Sequence, residues 1–248
     1  MTFIEILVQL LVAAAAFLQG VTGIGFALVA GPVLLMALND ASALQITALL
    51  NLLIALVLAP SVAGRADMTL LKRFGAAALI ALPFGLALFA LASPSILKLV
   101  AGVVVGGLTI AMIRGARGGT IKTDARGDWM AGGLAGALGG ALSMLGPPIS
   151  LRMAARRIEK SRNRATVLAF FVVGYPLVFV GQSLATEFSA DPLWGTLIYA
   201  PATLIGAFAG QFAVKHVSEL FFRRLVMVVL LATAVSLIID AMRSVFAA

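Results

Sequence analysis

Residues 6–39 carry no charged side chain over 34 positions, and the middle of that run reads GVTGIGFALVAGP (20–32). As a single helix rising about 1.5 Å per residue it would measure roughly 50 Å. The hydrocarbon core of a bilayer is only about 30 Å thick. The run is therefore too long for one crossing. Gly20, Gly23, Gly25 and Pro32 fall where an unbroken helix would be weakest, so the economical reading is two half-length helices meeting at a glycine break.

The rest of the chain fits a membrane setting. It is 62% hydrophobic and 11% charged, against about 45–50% and 25% for soluble domains. Uncharged runs of spanning length point to helices rather than a β-barrel, and predict an all-α integral membrane protein. Six crossings are expected at about 42–62, 70–92, 95–113, 166–185, 193–213 and 222–242. The start, MTFIEILVQLLVAAAAF, lacks the basic segment of a cleaved signal peptide and reads as mature membrane segment. The absence of cysteine excludes disulfides and thiolate metal sites.

The net charge of +8 belongs to topology rather than to nucleic-acid binding, because the basic residues sit in short loops between apolar runs. Arg65, Lys72 and Arg73 form one group. Arg114, Arg117, Lys122 and Arg126 form a second, and Arg152, Arg156, Arg157, Lys160, Arg162 and Arg164 a third. Lys215, Arg223 and Arg224 make the last. Were 129–151 an ordinary crossing, the second and third groups would face opposite sides, against the positive-inside rule. If that run enters and returns, 16 of the 18 basic residues face the cytoplasm, leaving Lys98 and Arg243. A re-entrant hairpin with legs of about 11 residues, roughly 16 Å each, is expected to bring its tip to the midplane.

The two odd runs resemble each other. QGVTGIGFALVAGPVLL (19–35) aligns without gaps on AGALGGALSMLGPPISL (135–151), matching Gly20 with Gly136, Gly23 with Gly139, Pro32 with Pro148 and Leu35 with Leu151. Thr47 and Thr166, then Pro83 and Pro201, follow in the same order. A first repeat at 1–116, a basic linker at 117–127 and a second repeat at 128–248 are expected. A hairpin plus three crossings is an odd number of traverses, so the repeats insert with opposite orientation and both termini lie outside.

Broken helices at membrane depth are tolerated where the backbone is buried in protein or lines a watery cavity. Each break frees amides at the start of the returning half-helix, and those amides with the helix dipole favour an anion. The expected binding positions are Gln19, Gly20, Thr22, Gly23 and Gly25 at the first break, with Gly136, Gly139, Gly140 and Ser143 at the second. Asn51 and Thr166 are added from the crossings that follow. The competing reading makes the glycines close-packing surfaces and the polar groups interhelical bonds. Arg164 reads as a snorkelling anchor or an anion guide, and His216 as an interface residue. No carboxylate is placed at mid-depth and no buried charge is expected. Pro32 and Pro148 either kink or start the returning legs.

GVTGIGFALVAGPVLL and GALGGALSMLGPPISL resemble the duplicated glycine–proline motif of the TauE/SafE family of sulfite and organosulfonate exporters, and Arg164-Ala165-Thr166 resembles the start of the helix that follows there. The resemblance extends over both halves. The chain departs from the pattern at Leu142-Ser143-Met144-Leu145, where the family is richer in glycine. The resemblance implies a carrier of small sulfur-containing anions in the inner membrane of a bacterium.

No metal spacing, nucleophile elbow or phosphate loop is present, so the chain is expected to be no enzyme and to need no cofactor or metal. Its expected partners are a small anion and the lipid bilayer, with the chain itself a monomer or homodimer. The alternatives are a carrier for another small solute and a membrane scaffold without transport.

Overall fold

The computed structural model describes residues 3–62, 64–115, 124–186, 189–213 and 219–246. Among them lie ten α-helices: α1 (Phe3–Thr22), α2 (Phe26–Leu38), α3 (Ser42–Leu58, extended by a 3-10 turn at Ala59–Val62), α4 (Met68–Leu91), α5 (Pro94–Gly115), α6 (Ala125–Leu142), α7 (Gly146–Ala155), α8 (Lys160–Ala185), α9 (Asp191–Ala213) and α10 (Glu219–Phe246). The six expected crossings are α3, α4, α5, α8, α9 and α10. Among the described residues, α1, α3 with its turn, α4, α8 and α9 have the length and apolarity to cross a bilayer. His216, Lys215, Arg117 and Lys122 lie outside the described residues.

Both over-long or conflicted runs are broken. Residues 23–25 separate α1 from α2 and residues 143–145 separate α6 from α7. The legs are unequal, however, which corrects the expectation of half-length pairs. At 20 residues α1 reaches spanning length, and α2 has 13; α6 has 18 and α7 has 10. Gly23 and Gly25, at φ +82° and +119°, adopt the left-handed region that only glycine enters without strain. The second break uses Ser143 at φ +56°, and Pro147 follows, with no N–H to offer the turn before it.

The ungapped alignment therefore does not align the breaks. Gly139, the counterpart of Gly23, lies in the last turn of α6, and the second break comes about one turn later. The prolines differ too. Pro148 is the third residue of α7, where a missing N–H costs nothing, whereas Pro32 lies inside α2.

The broken helices form the middle of the molecule. Every residue from Phe26 to Leu35 is buried, so α2 is apolar and enclosed all round, as a central helix must be. In α7, Gly146 to Ser150 are likewise buried. Outer helices present Leu79, Ile80, Phe84 and Leu91 of α4 and Ile205 and Phe212 of α9 on the surface, a lipid-facing band.

The helix pairings repeat with an offset of five. Helix α1 packs on α9 as α6 packs on α4, α3 on α9 as α8 on α4, and α1 on α2 as α6 on α7; α3 packs on α8 and α5 on α10. Glycines let the closest pairs touch backbone to backbone. A Cβ on Gly136 would lie 2.1 Å from Ala78 O, one on Gly85 2.1 Å from Ala137 O, and one on Gly206 2.1 Å from Ala13 O. Small residues at such crossings are what helix association in lipid requires.

Candidate functional site: the two helix breaks

Ion pairs fix which ends of the helices lie together. Asp128, fully buried near the start of α6, is bonded by Arg152 Nε at 3.0 Å from α7, by Arg156 Nη1 at 2.6 Å from the residue that caps α7, and by Arg73 Nη1 at 3.1 Å from α4. Arg152 Nη2 also reaches the Asp124 carboxylate at 2.9 Å. The Gly127 N–H, helped by Arg152, holds the Asp124 carboxyl below the usual carboxylate value. Beside this cluster, Arg162 Nη2 pairs with Asp67 at 2.9 Å, and Thr166 Oγ1 accepts the Asp67 N–H at 2.9 Å. The first and third basic groups thus meet at the start of α6, at one end of the bundle. A second pair, Lys98 Nζ to Asp240 at 2.6 Å and to Asn39 Oδ1 at 2.8 Å, ties α5 to α10 and to the end of α2.

These pairs correct the expectation of no buried charge: Asp128 is 0%, Lys98 4% and Arg152 7% exposed. Sequence reasoning used the arginines only as topology markers and gave Asp128 and Asp240 no role. The usable signal was Arg152 and Arg156, one helical turn apart and able to share one carboxylate.

The breaks come together at one point. A Cβ on Gly146, the first residue of α7, would lie 3.5 Å from Ile24 Cγ2. They do not meet tip to tip. Gly23 lies against the stem of Arg164, whose Cγ would be 2.8 Å from a Cβ there, while Ser143 lies against Gln182. Arg164 and Gln182 are eighteen residues apart on α8, or about 27 Å along a straight helix. Met144 of the second break instead reaches Gly31 within α2.

The expected site residues separate accordingly. Gly20 abuts Ala207 and Gly210 of α9, Gly136 abuts Ala78 of α4, and Gly140 abuts Leu82 and Gly85 of α4. Gly20 thus lies in the α1–α9 contact, and Gly136 and Gly140 in the α4–α6 contact. Gly139 lies beneath the side chain of Leu145. Thr166 is occupied by the Asp67 N–H and the Arg162 carbonyl.

The two breaks differ in character. At the second the side chains are buried and bonded: Ser143 Oγ donates to Leu44 O at 2.7 Å, Gln182 Nε2 donates to Gly140 O at 2.9 Å, and Tyr175 Oη donates to Ser143 O at 3.3 Å. Ser143, Met144 and Leu145 are all buried. At the first break Thr22 is exposed and Ile24 and Gly25 half-buried. Thr22 Oγ1 accepts the Ile24 N–H at 3.2 Å. Gln19, 1% exposed, accepts the Phe26 N–H on Oε1 at 3.1 Å, and its Nε2 donor is buried without a partner. Gly25 offers no capping side chain to α2. Asn51 donates to Thr47 O at 2.9 Å and leaves its Oδ1 buried and unpartnered.

Neither curated proteins nor solved structures give a significant match to the chain. A family model described as Sulfite exporter TauE/SafE matches residues 8–237, and with helices of spanning length beside two broken ones, the chain belongs to that family of membrane transporters.

Proposed function

We propose that the protein is a secondary transporter of small sulfur oxyanions, such as sulfite, sulfonates or sulfoacetate, in the inner membrane of a bacterium, working as an exporter. The observation that carries this reading is the approach of the two helix breaks at Ile24 and Gly146, where a Cβ on the glycine would touch the isoleucine. Free amides at the start of a half-helix favour an anion without a permanent cation. Gln19, Thr22, Gly23 and Gly25 at the first break and Ser143 at the second, with Asn51 of α3, supply the further groups.

The pairing of helices supports two repeats, 1–116 and 128–248, that insert with opposite orientation. Exchange of the repeats would then swap an inward-opening path for an outward-opening one, which is how inverted repeats alternate access. The Asp128 cluster supports a re-entrant α6–α7 hairpin whose two ends lie on the cytoplasmic side.

The scaffold alternative explains Gly20, Gly136 and Gly140, which pack helices. It does not explain the left-handed Gly23 and Gly25 or the unpartnered donor of Gln19. A binding assay on the purified protein with sulfite, sulfoacetate, taurine and sulfate tests the proposal. Saturable binding of at least one sulfur anion is expected, and binding of none would overturn it.

A further inference from the structure

Arg164 is the one arginine among the described residues with two buried guanidinium atoms, Nε and Nη2, that have no hydrogen-bond partner. Its neighbours on α8 do not share this state, since Arg162 pairs with Asp67. The residue is half-buried, and a guanidinium edge without water or partner is costly; no carboxylate pairs with it among the described residues. Nor is it merely reaching for the interface, because the buried edge is the one carrying the two free donors. Its stem crosses Gly23, where a Cβ would stand 2.8 Å from Arg164 Cγ. This glycine therefore gives the arginine its place as well as turning the chain.

The two free atoms have a specific geometry. Nε–H and one Nη2–H of a guanidinium point in parallel from the same edge, spaced to meet two oxygens of one oxyanion. A second buried donor without a partner, Gln19 Nε2, stands at the same break, on a side chain whose other end caps the Phe26 N–H. The start of α2 adds its amides. At the second break the Ser143, Gln182 and Tyr175 side chains are all hydrogen-bonded, and two of the first four residues of α7 are prolines with no N–H to give.

We infer that Arg164 binds the transported anion with its Nε and Nη2 edge, at a single oxyanion site on the first break built with Gln19 and the start of α2. The inference rests on the transporter reading and sharpens it. The site takes anions carrying two or more oxygens on one central atom and discriminates against halides, and the two repeats are unequal in binding although alike in fold.

The test is sulfite titration of purified wild type, Arg164→Gln, Arg164→Lys and Arg162→Gln, read by ligand-induced rise in unfolding temperature, with chloride as the halide probe. Wild type and R162Q are expected to respond to sulfite alike and to chloride far less. R164K keeps the charge but loses the parallel fork, so its sulfite affinity is expected to fall at least about tenfold, and R164Q should show no response. Unliganded R164Q should unfold no lower than wild type, because an unpaired buried charge is removed. Wild-type sulfite affinity in R164Q, or in R164K should R164Q fail to fold, would overturn the inference and leave the transporter reading standing. No response of wild type to any sulfur oxyanion would remove that reading and this inference with it.

Discussion

Arg152 Nε donates to Asp128 Oδ1 at 3.0 Å, joining the end of α7 to the start of α6 across 24 residues of chain. A continuous helix over that stretch would hold these residues about 36 Å apart. The apolar run 129–151 therefore returns to the end it left. The loops at 114–127 and 152–165 are expected on the same side of the membrane. Because the chain has no cysteine, one cysteine placed in each loop can be labelled with an impermeant thiol reagent in right-side-out and inverted vesicles. Labelling from opposite sides would refute the hairpin.

The same carboxylate holds three arginines, so its loss leaves several cations without a partner. Asp128→Asn is expected to destabilise the protein by about 3–5 kcal/mol, the range for breaking a buried ion pair by removing one member. Thermal unfolding in detergent measures it. A change below about 1 kcal/mol would mean that the arginines find other partners.

Glycine packing makes a sharper contrast. Gly136→Ala puts a methyl group 2.1 Å from the Ala78 carbonyl oxygen, which forces α4 and α6 apart. Gly107→Ala on α5 meets nothing within 4 Å and replaces a poor helix former, a gain of up to about 1 kcal/mol. The first variant should lower the unfolding temperature and the second should hold or raise it. Equal behaviour of the two would mean that the α4–α6 contact is looser than the structure has it.

Much of this architecture was legible because lipid imposes hard rules. An uncharged run longer than the bilayer must break, and ten basic residues flanking one apolar segment point to its two ends sharing a side. What composition could not reveal was how far each leg extends. The position of the second break depends on Ser143 tolerating a left-handed conformation and on Pro147 following it, not on the glycine pattern. Hence Gly139 fell inside a helix. The buried charges were hidden for a different reason: Lys98 and Asp240 are 142 positions apart, and nothing local marks them as partners. Arg164 read as an anchor because its isolation from carboxylates is a property of the fold.

The Lys98–Asp240 pair lends itself to a direct comparison. The lysine side chain is 5% exposed and the aspartate 46%, so the two deletions are unequal. Asp240→Asn leaves a buried ammonium facing only Asn39, whereas Lys98→Met removes the buried charge and leaves a carboxylate that water can reach. Asp240→Asn is expected to be the more destabilising of the two, by about 1–3 kcal/mol. The reverse order in chemical or thermal unfolding would show that Lys98 is not held by this pair.

The last prediction separates binding from packing at the breaks. Gly23→Leu places a branched side chain where φ is +82° and where its Cβ would meet Arg164 Cγ at 2.8 Å. It both strains the turn and displaces the guanidinium stem. Gly139→Leu puts a Cβ 2.4 Å from Leu145 Cδ2, pushing on the second break from beneath. Thr47→Ala alters a neighbouring helix whose hydroxyl bonds only its own backbone, to Ala43 O at 2.7 Å. Gly23→Leu should abolish sulfite binding and Gly139→Leu should weaken or abolish it, while Thr47→Ala stays within about threefold of wild type, the effect of losing about 0.6 kcal/mol. Folding and insertion are checked for each by gel filtration and unfolding temperature. If well-folded Gly23→Leu and Gly139→Leu both keep wild-type affinity, the breaks serve helix packing and the anion binds elsewhere.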